Sequence, residues 1–209
     1  MDKVRRKFNT WAKNGKAELM EIEHGKNVSK FLRSIKFEEP FVFLDVGCGN
    51  GWTVRKIAEE ENCKKAVGID KSEKMIEQAN KSKMSSKEKF IVTDIESMNS
   101  RMKFDFIFSM EALYYSDSIE NALAKIYRIL KPGGQFFCGT DFYTENKATR
   151  RWAEIMKIQM HLHSKKEWKD MFKNAGFSVK TKQIKDFNNK KKWKRELGTL
   201  FIIGTKGTK

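Results

Sequence analysis

Phe41-Val42-Phe43-Leu44-Asp45-Val46-Gly47-Cys48-Gly49-Asn50-Gly51 is the stretch on which the reading of this chain turns. Five of its first six residues are apolar, the composition of a strand buried on both faces. Three glycines then fall at alternate positions, where the missing Cβ lets the backbone turn sharply and approach a ligand closely. A helical pattern starts directly afterwards, so the unpaired N–H groups of its first turn face whatever lies in the loop. Strand, glycine turn and helix would serve several nucleotides. Asp45 narrows the choice: a carboxylate there opposes a pyrophosphate and suits a ligand carrying ammonium and sulfonium charges.

The pattern repeats outward from this stretch. Strand-like runs at 66–70, 90–95, 104–110 and 135–142 alternate with helical patterns at 53–61, 72–83 and 118–130, the mark of a parallel sheet covered on both faces. Asp70 closes Val67-Gly68-Ile69-Asp70, the position from which a carboxylate reaches ribose hydroxyls in a βαβ unit. Asp94 falls at the end of the third run, placed to accept from an adenine amino group, with Ile95 to cover the ring. Each acid alone reads equally well as a cap for the next helix. Three acids closing successive strands beside one glycine loop read as a site.

Both flanks depart from this alternation. Val4, Phe8 and Trp11, then Val28, Phe31, Leu32 and Ile35, recur at helical spacing. Residues 1–40 are therefore expected to form a helical cap belonging to the same domain as residues 41–209, with Pro40 closing it. Downstream, a helical stretch near 147–160 precedes Ser164 and Glu167, a capping box that opens a helix reaching Ala175. Strand patterns at 177–184 and 199–205 are joined by a segment too short for a crossover helix, so the last two strands should be antiparallel.

The 209 residues suit one domain. Their net charge of +16 is unevenly placed: residues 141–209 hold 18 Lys and Arg against 7 acids, while residues 41–140 are nearly neutral. Such a field fits anionic partners, whether nucleic acid, acidic lipid or phosphorylated metabolites, and equally fits a lysine-rich solvated surface. Cys48, Cys63 and Cys138 are odd in number and widely spaced, against a disulfide framework and in favour of a reducing cytoplasm. The charged start, with no apolar stretch behind it, does not read as a secretion signal, and no run is apolar enough for membrane insertion.

Asp45-Val-Gly-Cys-Gly-Asn-Gly51, Gly-Ile-Asp70 followed by Ser72 and Met75, and Thr-Asp94-Ile-Glu resemble the cofactor motifs of class I S-adenosylmethionine-dependent methyltransferases. Phe104-Asp-Phe-Ile-Phe-Ser-Met110-Glu111-Ala-Leu-Tyr-Tyr115 and the later Ile-Leu-Lys131-Pro-Gly-Gly134 are similar to the type 11 branch, which includes quinone C-methylases. The resemblance implies a Rossmann-like α/β fold: a seven-stranded sheet of order 3-2-1-4-5-7-6, last strand antiparallel, with helices on both faces. It implies S-adenosyl-L-methionine as cofactor. Asp45, Gly47, Cys48 and Gly49 would hold its methionine part, Asp70 and Lys71 the ribose side, Asp94 and Ile95 the adenine, with Met110 and Glu111 near the sulfonium. Where the family often has a His pair, this chain has Tyr114 and Tyr115.

Methyl transfer from a sulfonium is an in-line displacement that needs alignment first and a base only for a protonated nucleophile. Glu111, Tyr114 and Tyr115 are the candidates for positioning the substrate, with Asp141 and Tyr143 after the fifth strand. His161 and His163, two apart, share no helix face, and no metal site is expected. The run Lys190-Lys191-Lys192-Trp193-Lys194-Arg195, with Arg150, Arg151 and Trp152, could stand at the rim of the site and grip phosphate or stack a base. The acceptor is then a small molecule, anionic in one reading. RNA methylation or a catalytically silent nucleic-acid-binding module is the alternative, and monomer and homodimer both stay open. A nicotinamide-dependent oxidoreductase fits less well, because the third glycine of the dinucleotide pattern is missing. An aminopropyl transferase would want acidic rather than basic flanks.

Overall fold

The computed structural model describes residues 2–208. Seven strands, β1 (Phe41–Val46), β2 (Cys63–Asp70), β3 (Glu88–Val92), β4 (Phe104–Met110), β5 (Leu130–Thr140), β6 (Ser178–Ile184) and β7 (Thr199–Thr205), form one sheet of order β3-β2-β1-β4-β5-β7-β6. β1 to β5 run parallel, and β7 is antiparallel to both β5 and β6. The sheet order and the antiparallel ending are those expected. The helices are α1 (Lys3–Lys13), α2 (Lys16–Leu32), α3 (Trp52–Ala58), α4 (Glu73–Lys81), α5 (Ile119–Ile129), α6 (Trp152–Met156), α7 (Lys165–Asn174) and α8 (Lys192–Glu196). Among the described residues no helix is long and apolar enough to cross a membrane.

The central strands are apolar on both faces because both are covered. Leu44, Val67, Ile107 and Phe136 pack on one side with α5 and α7, through Leu123, Ile126, Trp168 and Phe172. Phe43, Phe108 and Phe137 face the other side, with α2 and α3 contributing Val28, Phe31, Val54 and Ile57. Phe31 stacks on Phe201 of β7 with ring centroids 4.0 Å apart, a contact of the kind that contributes about 0.5–1.5 kcal/mol beyond area burial. Ser164 caps α7 in the full reciprocal box with Glu167.

Three local expectations are corrected. The third strand stops at Val92, so Asp94 and Ile95 lie in the loop beyond it, and Asp94 turns that loop by accepting from the Ser97 N–H at 2.6 Å. The helix expected near 147–160 shrinks to the five residues of α6. Side chains of Asn146 and Thr149 bond the Asp141 carbonyl at 2.8 and 2.9 Å and hold the preceding chain in turns, while Lys157 at φ +55 ends the helix. The lysine-rich segment before β7 is not all loop, since α8 forms within it.

Candidate active site

At the C-terminal ends of β1, β2 and β4 lies a cleft enclosing about 1070 Å³ of space, its open mouth included. Parallel strands deliver their following loops to this end of the sheet, where open α/β folds bind ligands. Asp45, Gly47, Cys48, Gly49, Asp70, Lys71, Asp94, Ile95, Met110, Glu111 and Tyr115 all border the cleft. Tyr114 does not; it is buried beneath, and its hydroxyl donates to Glu111 Oε2 at 2.7 Å.

The glycine loop is shaped by β2. Gly47 and Cys48 N–H groups both donate to the Ile69 carbonyl, at 2.8 and 2.9 Å. Gly47, Gly49 and Gly51 adopt φ of +75, +53 and +81, a region that favours glycine. At Gly47 a Cβ would strike the Cβ of Ala112, whereas at Gly49 it would enter open space, the space a ligand against the loop would take. Asp70 accepts from the Gly49 N–H at 3.0 Å and the Ser72 N–H at 2.8 Å, which fixes loop and helix start together. The Cys48 thiol packs against Gly68, and burial pushes its pKa well up.

The electrostatics ask for a cation. Burial pushes the Asp45 carboxyl well above its ordinary value, and the nearby Asp70 charge pushes it further. Among the described residues no donor reaches the Asp45 carboxylate. Asp70 is also raised by burial, against the lowering effect of its two N–H bonds. Two crowded, desolvated carboxylates are relieved by a positively charged ligand. The residues present therefore fit a sulfonium- and ammonium-bearing nucleoside. Lys71 sits 3.8 Å from Asp94 and 3.7 Å from Asp2, at the cleft's other end.

The roof comes from the first two helices, whose faces supply Val4, Arg5, Phe8, Ala17, Met20 and His24. α1 is tied over the mouth largely by polar contacts to the start of α4. Arg5 pairs with Glu73, and Asn9 accepts from Ser72 Oγ at 2.6 Å. Phe8 meets Tyr115 edge-on at 5.3 Å. Asn50 of the glycine loop donates to Glu21 of α2 at 3.1 Å.

Behind Met110 lies a buried acid cluster. Glu111 takes φ +53, unusual for a side-chain-bearing residue. Its carboxyl accepts from the Tyr114 hydroxyl and the Asp141 N–H. Burial, and next the Asp141 charge, push its pKa up to about 8. Asp141 Oδ1 accepts from Thr199 Oγ1 at 2.7 Å, and Asn27 donates to that same hydroxyl oxygen at 3.0 Å. Asp141 Oδ2 faces His24 Nδ1 at 3.5 Å. The sequence reading passed over His24. The available signal is its spacing: it lies four residues before Val28 and seven before Phe31, a polar ring on the inward face of α2.

The basic run does not reach the cleft. Lys191 pairs with Glu23 at 2.7 Å, buried Lys194 donates to the Glu23 carbonyl at 2.8 Å, and Arg195 donates to the carbonyls of Asn189 and Lys190. Lys192 faces Glu196 at 3.7 Å. The segment turns inward to fasten α8 against α2, which corrects the expectation of a cationic rim. His161 and His163 stack on each other, and His161 Nε2 lies 3.0 Å from the Ser116 carbonyl. Tyr143 is buried, its hydroxyl on the Gly198 carbonyl.

Residues 44–138 match the methyltransferase domain of type 11. Among curated proteins, the chain is 29% identical over 186 residues to a sterol 24-C-methyltransferase of Clavispora lusitaniae, covering 82% of this chain and 47% of that one. The chain spans less than half the length of the sterol methyltransferases it matches in this way. Among solved structures, a complex between the Haloferax volcanii Trm112 methyltransferase activator and a putative methyltransferase contains a chain 28% identical to this one. It superposes with a TM-score of 0.90, covering 96% of this chain and 97% of that chain. A possible histamine N-methyltransferase of Thermotoga maritima, 23% identical, shares the fold at a TM-score of 0.72 over 97% of this chain and 99% of that one.

Proposed function

Because the chain carries a class I, type 11 S-adenosylmethionine-dependent methyltransferase domain over residues 44–138, we propose that it transfers a methyl group by in-line displacement to a small, mainly apolar acceptor. The observation that carries this reading is a cleft in which crowded carboxylates, left-handed glycines and an apolar roof meet. Asp45, Gly47, Cys48 and Gly49 would hold the methionine part of the cofactor, Asp70 and Lys71 the ribose side, Asp94 and Ile95 the adenine. When bound, the cofactor supplies an activated methyl group on a cationic sulfur.

The chain's own work is alignment and exclusion of water, which supplies on the order of 7–11 kcal/mol in such reactions. Met110 and Glu111 close the floor, and Val4, Phe8, Met20, Leu113 and Tyr115 give the remaining space apolar walls. An acceptor between these walls meets mostly hydrocarbon, and the two cations on the lining, Arg5 and Lys71, already face Glu73 and Asp94, which favours an uncharged molecule over an anionic one. The sterol methyltransferases among its relatives take an apolar acceptor by name, which supports the same class.

The test is calorimetric titration with S-adenosylhomocysteine, followed by incubation with methyl-labelled cofactor and cell extract. Binding with label in an apolar small-molecule fraction supports the reading; a folded protein that binds neither cofactor nor product refutes it. Label in RNA, with salt-dependent RNA binding, would favour the nucleic-acid alternative.

The likeness to a chain solved with an activator subunit leads us to infer a protein partner of that kind here. β3 is an edge strand with an unpaired backbone rim, and its exposed Val92 adjoins a pocket lined by Ile91, Met98 and Met102. Val92→Lys should abolish co-elution with an activator subunit while leaving the fold intact. Unaltered co-elution would place the partner elsewhere.

A further inference from the structure

The His24–Asp141 pair lies outside the cofactor motifs, and nothing above requires it. Its construction is nonetheless specific. His24 projects from α2 into the roof of the cleft that Met110 and Glu111 floor. Its Nδ1 is buried and faces Asp141 Oδ2 at 3.5 Å, longer than a made hydrogen bond, and among the described residues neither atom has a hydrogen-bond partner, so each is left for the other once the cleft closes. The other carboxylate oxygen of Asp141 is held by Thr199, which is held in turn by Asn27, one turn along α2 from His24. α2, β7 and the end of β5 thus fix the carboxylate so that one oxygen stays directed at the imidazole. With Nδ1 against Asp141, Nε2 is the nitrogen left for the cleft.

Resting on the methyltransferase reading, we propose that His24 is the general base for the acceptor, oriented by Asp141, and that the acceptor's nucleophilic atom therefore arrives bearing a proton. A hydroxyl or an N–H compound belongs to this class; a carboxylate or a thioether does not. In the step, the acceptor's X–H bond breaks and its proton goes to His24 Nε2. The released electron pair forms the bond from X to the methyl carbon as the methyl–sulfur bond breaks, its pair passing to the cofactor's sulfur. The positive charge of the sulfonium ends on the imidazolium, opposite Asp141. A base held in one tautomer by a carboxylate is the general arrangement for such proton removal.

The charges around His24 suit a base that is empty at neutral pH. Burial lowers its pKa, the Asp141 charge opposes that, Lys194 and Lys191 of the α8 segment lower it further, and Glu23 raises it. Asp141 is a positioning residue in this scheme, so removing its charge should move the pH dependence as well as the rate.

Two measurements test the proposal. Nitrogen-15 imidazole spectra are tractable because the chain has three histidines, and His24→Asn assigns the signal. A neutral ring protonated at Nδ1, titrating below the ordinary histidine range and lower still in Asp141→Asn, supports the pairing. A ring protonated at Nε2, or charged at neutral pH, overturns it. In the second, methyl-labelled cofactor and cell extract are incubated with each variant. His24→Asn should slow label transfer by about 10²–10⁴-fold with S-adenosylhomocysteine affinity unchanged. Asp141→Asn should lose less and shift the ascending limb of the pH profile. Full-rate transfer by His24→Asn overturns the proposal. If the unaltered protein binds no S-adenosylhomocysteine, the methyltransferase reading fails separately, and the tautomer still decides the pairing.

Discussion

Asp45 illustrates how a buried charge is turned to use. Its carboxyl lies 3% exposed, with its pKa raised by burial and by Asp70. A cationic ligand favours the ionised form, so the bound state should hold fewer protons than the free state. Calorimetry in buffers of different ionisation enthalpy should therefore register proton release, and affinity should climb as pH rises. Proton uptake, or none, would contradict this account. Glu111 makes a matching prediction about stability. Its folded pKa near 8 exceeds the 4.5 of an exposed side chain, so between those values the native state keeps a proton that the unfolded chain has lost. Stability should fall as pH rises from about 4.5 to about 8, and Glu111→Gln should flatten that decline in denaturant midpoints.

At the scale of elements, the glycine turn is held by backbone conformation as much as by space. Gly47→Ala places a side chain at φ +75 and against Ala112, a combined cost of at least about 2 kcal/mol. The melting temperature should drop by roughly 4–8 °C, and cofactor binding should weaken with it. β1, β2 and β4 were legible because continuous apolar runs and Gly/Asp endings are local signals. The acids at 45, 70 and 94 could be brought together on paper because parallel strands share one end. The failures were non-local. Nothing in the run 147–160 reveals that Thr149 and Asn146 serve the Asp141 carbonyl, and that demand outweighs helix propensity. Lys191 and Lys194 look like part of a solvated patch until Glu23, far away in sequence, supplies their partner. His24 escaped for the same reason, since its meaning depends on Asp141.

Taken as a molecule, the protein is a rigid sheet under a lightly fastened cover. α1 rests on polar ties such as Arg5–Glu73 and Asn9–Ser72 and on a small cluster around Ala12, Ala17 and Met75. Few buried apolar contacts mean a low local opening free energy. Amide exchange in residues 3–13 should be fast in the free protein and slow when S-adenosylhomocysteine is bound, with β1 and β4 protected throughout. Equal exchange in the two states would mean that α1 is not a cover over the ligand. The whole-molecule charge is also better understood once placed: Lys71, Lys191 and Lys194 are each held against acids or carbonyls and do not stand free around the cleft.

The position of β7 has a consequence for how the protein is made. It is the last of the described strands in sequence, yet it stands between β5 and β6, covering the outer edge of β5 and giving β6 its only described strand partner. A ribosome adding 5–20 residues per second completes β5 several seconds before Thr205 appears. During that interval the nascent sheet exposes Phe137 and its neighbours along an unzipped margin. Translation pauses between residues 141 and 199 would prolong this vulnerable state, and chaperone demand should track them.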